Sequence, residues 1–479
     1  MQPVHSKQSE HALAGIGAES AATTKGATLT VASAATALVL IVFTVPLTTL
    51  TGTAHALGAD AGAQAWILSA MSVGAASGLL VSGAIGDDYG RRRTFLAGTI
   101  ILVIASVLGA LAPSALLLIV ARIAQGLGGA AILSCSLGLI GQAYAKHELP
   151  HATGIWGGAL GAGVAVGPIL SSELAAYGGW AAPYWFSAVS ALGLAVAGRL
   201  MLSESVAEHP RRIDVAGTIL LGLGMATLLA GLTESRTGWD QLSVYGLVFG
   251  GLALLAGFVA VEQRIVSPTL DLSLFRRADF VGATLAALAS GAGVLTLMSL
   301  IPMILERVMS VDTLTAAFVL LAWSATTSFA AIGARWLRAS PRMLLIGGLI
   351  GCAVGQLAVY GLHPDSSILQ LLPGMLLAGV ANGILNAALG HQAVVSVPAD
   401  RSAMGSGANN TARYLGSATG LTICAVIITH GGATAGAAGL LTGWNNAVIV
   451  TVAFSLLGAL AVFVSGERFS FGLMQEPRS

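Results

Sequence analysis

This 479-residue chain has little charge. Asp, Glu, Lys and Arg make up 9% of it, hydrophobic residues 55%, and the mean hydropathy is +0.84. An average soluble domain carries about 25% charge, so no sizeable water-facing domain fits here, and the function must lie within a bilayer. A net charge of +1 gives no reason to invoke nucleic acid or an acidic partner. Cysteine is scarce as well: Cys135, Cys352 and Cys424 lie far apart in apolar runs without metal-ligand spacing, and read as small core residues. His55, His391 and His430 sit near span ends with no cluster of thiols or acids, so no metal site is expected. A phosphate-cradling Gly-x4-Gly-Lys-Ser/Thr segment is missing, which excludes ATP as the energy source within this chain. A membrane enzyme or a channel would need a catalytic cluster or a ring of charges, and the sequence offers neither. No cofactor is expected.

Long apolar windows are what is present. They lie near 29–50, 64–85, 95–113, 115–143, 152–177 and 180–202, then 213–232 and 242–261, and after a polar connector with Pro268 near 280–305, 313–335, 343–361, 367–394, 406–429 and 443–465. Each is too long for a barrel strand and must satisfy its own backbone in lipid, so the expected fold is an all-α polytopic membrane protein with fourteen transmembrane spans. The expected division is a disordered tail at 1–28, a six-helix bundle at 29–202, two inserted helices and a connector at 203–278, a second six-helix bundle at 279–465, and a tail at 466–479. With the amino terminus inside, Arg236 and Arg307 alone fall outside and Arg122 and Arg413 lie within spans; the other 18 of the 22 Lys and Arg residues are cytoplasmic. Both termini are then cytoplasmic, in a plasma membrane of bacterial inner-membrane type. Trp180, Trp239 and Trp444 near the outer ends suit an interfacial belt. The Ala54-His55-Ala56 stretch resembles a signal-peptidase site, but the long polar tail before the first span argues against cleavage.

The turn after the second span reads GAIGDDYGRRR, residues 83–93. Its Gly83, Asp87, Gly90, Arg91 and Arg92 resemble the signature loop of the major facilitator superfamily. Asp88 departs from that pattern, where a basic residue is usual. A shift of 250 residues finds a faded copy, GARWLRASPRM at 333–343, with Leu337 in place of the acid. LIVARIAQGLGGAA at 118–131 resembles the fourth-span motif through Arg122, Gln125 and Gly126. GALGAGVAVGPILSS at 158–172 resembles the exporter motif of span five through Gly163, Gly167 and Pro168. The segments around 213–222 and 258–280 look like the inserted pair of the fourteen-span drug/proton antiporters. The resemblance implies two six-helix bundles in parallel pseudo-repeat, with the substrate path between them.

Chemistry has few candidates. Glu173 is the one acid deep within a span, and an intramembrane carboxylate can couple to protons. Arg122 is its candidate partner, since both charges come out about 6 to 12 Å below the outer surface at roughly 1.5 Å per residue; the competing reading has Glu173 reaching outward and Arg122 bonding backbone carbonyls. Span one carries Thr44, Pro46, Thr48 and Thr49 but not the aspartate usual in the resembling antiporters, which puts cationic-drug specificity in doubt. Arg413, with Asn409 in the same span, either binds a polar or anionic substrate group or bonds neighbouring carbonyls. Trp323, Asn382 and Asn386 either line a mixed cavity or pack. The expected function is proton-coupled export of small amphipathic or lipophilic compounds by alternating access, with a dedicated metabolite carrier or importer as the alternative. The expected partners are substrate, protons and lipid, and the expected unit is a monomer.

Overall fold

The computed structural model describes residues 5–206, 214–235, 241–265, 270, 272–363 and 366–473, and every regular element among them is helical. Thirteen helices are long and apolar enough to cross a membrane. Spans one to eight are Lys25–Leu57, Gly62–Tyr89, Arg91–Ala110, Ala115–Ala143, Leu149–Gly178, Ala182–Met201, Val215–Glu234 and Leu242–Glu262. Spans nine and ten are Ala278–Met309 and Leu314–Trp336, and spans twelve to fourteen are Ile368–Val395, Ala399–Ile428 and Ala438–Ser465. Span eleven, expected at 343–361, is the shorter apolar helix Pro341–Leu357. The expected fourteen-helix architecture is therefore present. Residues 1–4 and 474–479 of the expected tails lie outside the described residues, as do Arg211, Arg212, Arg236, Trp239 and Pro268. The helix holding span one runs back to His5, through most of the tail expected to be disordered; its alanines favour helix.

Spans thirteen and fourteen lie within one continuous helical assignment, Ser402–Leu473. A straight helix would hold residues 428 and 443 about 22 Å apart. Yet a Cβ on Gly443 would sit 2.6 Å from the Ile428 Cα, so the chain reverses between them. Gly436, with φ of 58°, supplies the left-handed residue of that reversal.

In lipid, apolar burial does not by itself drive helices together, and close approach of small residues does much of that work. The 62 glycines are placed accordingly. Span five seats on span one where a Cβ at Gly163 would come 2.5 Å from the Ala37 carbonyl oxygen, and one at Gly167 would come 2.0 Å from Thr44 Oγ1. The 250-residue shift maps this pair onto spans thirteen and nine. There a Cβ at Gly416 would meet the Leu288 carbonyl oxygen at 2.0 Å, and one at Gly420 would meet that of Ala292 at 2.6 Å. Gly291, the counterpart of Ile41, abuts the carbonyl of Arg413, the counterpart of Gly163. The small residue has moved to the partner helix, and the contact is kept.

The two halves meet along two seams related by the same shift. At spans two and thirteen, Cβ atoms at Gly83 and Gly407 would each lie 2.4 Å from a carbonyl oxygen across the seam, those of Ala403 and Leu79. At spans five and ten, Gly154 and Gly158 approach the Ala331 and Ser328 carbonyls in the same way, at 2.8 and 3.1 Å. Spans seven and eight pack on each other, and span seven makes polar contacts along the flank of the first seam. Trp66 Nε1 of span two donates to Glu234 Oε2 at 3.0 Å, and Thr422 Oγ1 of span thirteen donates to the Leu232 carbonyl at 2.8 Å. Trp444 is not part of an interfacial belt: it is fully buried, and its Nε1 donates to the Val359 carbonyl at 3.1 Å, capping the end of span eleven from inside the protein.

Gly167→Val should lower the stability of the purified protein in detergent by about 1 to 3 kcal/mol, because the added carbons have no room against Thr44. Gly347→Ala, where nothing lies within 4 Å, should leave the melting temperature level or slightly raised. Equal melting of the two variants would show that spans one and five do not need this approach.

Candidate functional site

The end of the molecule that carries residues 83–93, here the loop end, is where charge from both halves converges. Gly90 has φ of 119°, a conformation that side chains resist, and this lets span two stop and span three start within one residue. The tight turn brings Asp87 and Arg91 onto one face, four residues apart, with Arg91 Nε donating to Asp87 Oδ1 at 2.8 Å. Arg91 also donates to the Gly138 carbonyl and Ser205 Oγ, both at 3.3 Å, and across the seam to the Ala399 carbonyl at 3.0 Å. Asp87, 1% exposed, accepts from the backbone N–H groups of Ala403 at 3.1 Å and Met404 at 2.8 Å. Those two N–H groups are orphan donors of the first turn of span thirteen. A carboxylate of one half thus caps a helix of the other, where the helix dipole favours negative charge. Arg92 donates its backbone N–H to Glu204 Oε1 at 3.1 Å and its side chain to the Arg199 carbonyl, which ties the loop to the end of span six.

Arg122 is fully buried and does not pair with Glu173. Its guanidinium donates to the carbonyls of Val42 at 2.7 Å, Phe43 at 3.1 Å and Ile67 at 3.4 Å, and to Gln125 Oε1 at 3.3 Å; Gln125 in turn donates to Ser106 Oγ at 3.0 Å. The reason lies in span one. Pro46 has no N–H to give to the carbonyl four residues earlier, which is that of Val42. In lipid that carbonyl needs a donor, and Arg122 supplies it. The pairing of Arg122 with Glu173, expected from their depths, is replaced by the reading in which arginine bonds carbonyls, while Glu173 is exposed and makes no ion pair among the described residues.

The remaining candidates lie on spans five, ten, twelve and thirteen. Gly163, Gly167 and Pro168 are buried against span one rather than lining a cavity. Among the described residues, Trp323 is buried with Nε1 unpartnered, and Asn382 donates to Thr327 Oγ1 at 3.4 Å while its Oδ1 and that of Asn386 find no donor. Asn409 donates to the Ala283 carbonyl at 3.2 Å. Arg413 is 8% exposed, and its guanidinium makes no hydrogen bond or ion pair among the described residues. No group of three or more His, Cys, Asp or Glu suited to a metal ion occurs among the described residues.

Residues 29–421 match the Major Facilitator Superfamily model across most of the chain. The chain belongs to the Major Facilitator Superfamily. It is therefore a multi-pass membrane transporter of small molecules rather than an enzyme. It is similar to the puromycin resistance protein pur8 of Streptomyces alboniger, 27% identical over 91% of this chain and 90% of that one. It is also similar to the multidrug efflux pump LfrA of Mycolicibacterium smegmatis, 29% identical over 76% of this chain and 73% of that one. Among solved structures, the proton:xylose symporter XylE shares the fold with a TM-score of 0.66 at 13% identity, over 92% of this chain and 96% of that one.

Two contacts of this superfamily member were not foreseen in its sequence. Asp88, read as a departure from the loop pattern, faces Arg401 Nη1 at 3.0 Å across the first seam, so the unusual acid has a cation of the other half to meet. At the second seam Arg335 Nη1 lies 2.6 Å from His151 Nδ1. The 250-residue shift makes His151 the counterpart of Arg401. The signal for both was the repeat itself, extended beyond the glycine loop to the first turn of the fifth span in each half.

Asp87→Asn removes the charge facing Arg91 and leaves one good acceptor for two N–H groups. A cysteine placed at Ala403, buried here, should then alkylate about tenfold faster than in the native background, as a loss near 1.4 kcal/mol implies; equal rates would mean the loop does not hold the seam. Arg122→Met should lower stability by about 2 to 4 kcal/mol through unsatisfied carbonyls. Adding Pro46→Ala should recover about 1 kcal/mol by restoring the Val42 partner. A double variant no more stable than Arg122→Met would refute the proline-to-arginine coupling.

Proposed function

We propose that this transporter is a proton-coupled exporter of small amphipathic or lipophilic compounds, working by alternating access as a monomer in a bacterial inner membrane with both termini cytoplasmic. The observation that carries the reading is the asymmetry of the two ends. Hydrogen bonds and ion pairs between the halves cluster at the loop end, around Asp87, Arg91, Asp88, Arg401, Arg335 and His151. Glu173, toward the other end of span five, stays exposed. The excess of Lys and Arg at the loop end supports a cytoplasmic location for it, and on that reading this is the outward-directed member of a two-state pair. Relatives named for puromycin resistance and multidrug efflux support export over uptake.

In this reading Glu173 carries the proton. Asp87 is held by Arg91, and Asp60 and Asp214 accept backbone N–H groups at the starts of spans two and seven. Arg122 acts as a positioning residue that fixes the kink of span one against span four. Trp323, Asn382, Asn386, Asn409 and Arg413 belong to the substrate path between the halves, and Trp323 Nε1, Asn382 Oδ1, Asn386 Oδ1 and Arg413 Nε are buried without partners among the described residues.

Proteoliposomes with an imposed pH gradient test this. Each compound of a chemically diverse toxic panel is added in turn, and trapped-dye fluorescence should report proton movement only with those that are substrates. Glu173→Gln should abolish that movement while substrate still binds, since glutamine keeps the volume but cannot release a proton. Unchanged substrate-dependent proton flux in the glutamine variant would rule out Glu173, and substrate movement indifferent to the gradient would rule out coupling.

A further inference from the structure

Span thirteen holds an arginine whose surroundings contrast with those of Arg122. Both arginines are buried within spans, but Arg122 makes four hydrogen bonds, whereas Arg413 makes none among the described residues and its Nε is enclosed without a partner. A buried polar side chain left without a partner is costly and unusual. The neighbouring amides do not meet it either: Asn409 is turned to the Ala283 carbonyl and Asn410 to that of Ser406.

The helical wheel shows where Arg413 stands. At 100° per residue, the residues that touch span nine, Asn409, Gly416 and Gly420, fall within about 40° of one another. Ser406, whose Oγ donates to the Leu133 carbonyl of span four at 3.3 Å, and Tyr414, whose ring meets Phe43 of span one edge-on at 6.1 Å, mark the face toward the other half. Arg413 lies between these two faces, about 20° from Ser406 and on the side of span nine. Opposite its backbone, span nine opens into a π-helical turn at Gly291–Leu295, a feature found mostly at functional sites. Span one, across the seam, carries no carboxylate.

We infer that Arg413 is the anchoring residue for an acidic group of the substrate, so that this transporter selects lipophilic organic anions over cations. The inference rests on the seam being the substrate path. An ionised carboxylate or phenolate would supply the charge-assisted hydrogen bonds that the guanidinium lacks. A lipophilic cation would meet an unneutralised positive charge in a region of low dielectric.

The test uses fluorescein and rhodamine 123, which share a xanthene ring system and differ in charge. Equilibrium binding of each to the purified full chain in nanodiscs, with no pH gradient, separates this inference from proton coupling. The native protein should bind fluorescein at least about tenfold more tightly than rhodamine 123. Arg413→Gln should remove that preference, and Arg413→Lys should keep part of it. Arg413→Met, without ligand, should melt at or above the native temperature, because it removes a charge that no described residue pairs with. Native protein that fails to bind fluorescein, or binds both dyes alike, overturns the proposal. So does fluorescein preference surviving in the glutamine variant, or a methionine variant whose melting temperature falls, since that would make Arg413 a structural residue.

Discussion

A bilayer offers no water to finish an incomplete hydrogen bond, and the arrangement of this transporter follows from how each interrupted helix regains its missing partner. Pro46 strands the Val42 carbonyl, and Arg122 arrives from span four to receive it. The start of span thirteen leaves orphan N–H groups, and Asp87 arrives from the other half. The same constraint places Trp444 in the interior, with its indole N–H against the Val359 carbonyl at the end of span eleven. These charged and polar side chains are expensive in isolation. They persist because the backbone groups that they meet would otherwise be more expensive still.

The capping of span thirteen by Asp87 has a consequence that a contact within one half would lack. Each half is a rigid bundle whose helices are locked by glycine contacts too close to slide, such as Gly163 on Ala37 and Gly416 on Leu288. In the proposed alternating-access cycle, motion is left to the seams. At the loop end they are fastened by a small number of discrete polar contacts over a close glycine approach, an arrangement that favours two states over continuous deformation. The fasteners are unequal. The first seam has buried Asp87 and Arg91, the pair of Asp88 with Arg401, and the cover of span seven; the second has the contact of Arg335 with His151.

Much of this was legible in the residue order. Window length and charge distribution specify fourteen spans because the hydrocarbon thickness and the cost of unpaired backbone leave no other secondary structure. Span eleven came out short, and spans thirteen and fourteen share one helical assignment, which hydropathy does not resolve. The loop pattern marked Asp87, Gly90, Arg91 and Arg92 by the chemistry of a tight turn. It did not name the partner of Asp87, because an N–H of residue 403 carries no sequence signature and lies more than 300 positions away.

What the sequence determined by itself is local: helices, their lengths, the turn at Gly90, the gap that Pro46 leaves, and the 250-residue repeat. What only the tertiary structure decided is the identity of partners. Arg122 and Glu173 have compatible depths, yet depth along a helix says nothing about azimuth, and Arg122 turns toward span one while Glu173 faces outward. Asp88 departs from the loop pattern, and the fold sets Arg401 opposite it. Asn409 and Arg413 lie four residues apart on one helix, and the fold gives the amide a carbonyl and, among the described residues, leaves the guanidinium without one. Each choice depends on which backbone groups neighbouring helices present, and those are fixed only when glycine contacts set the helices' rotation.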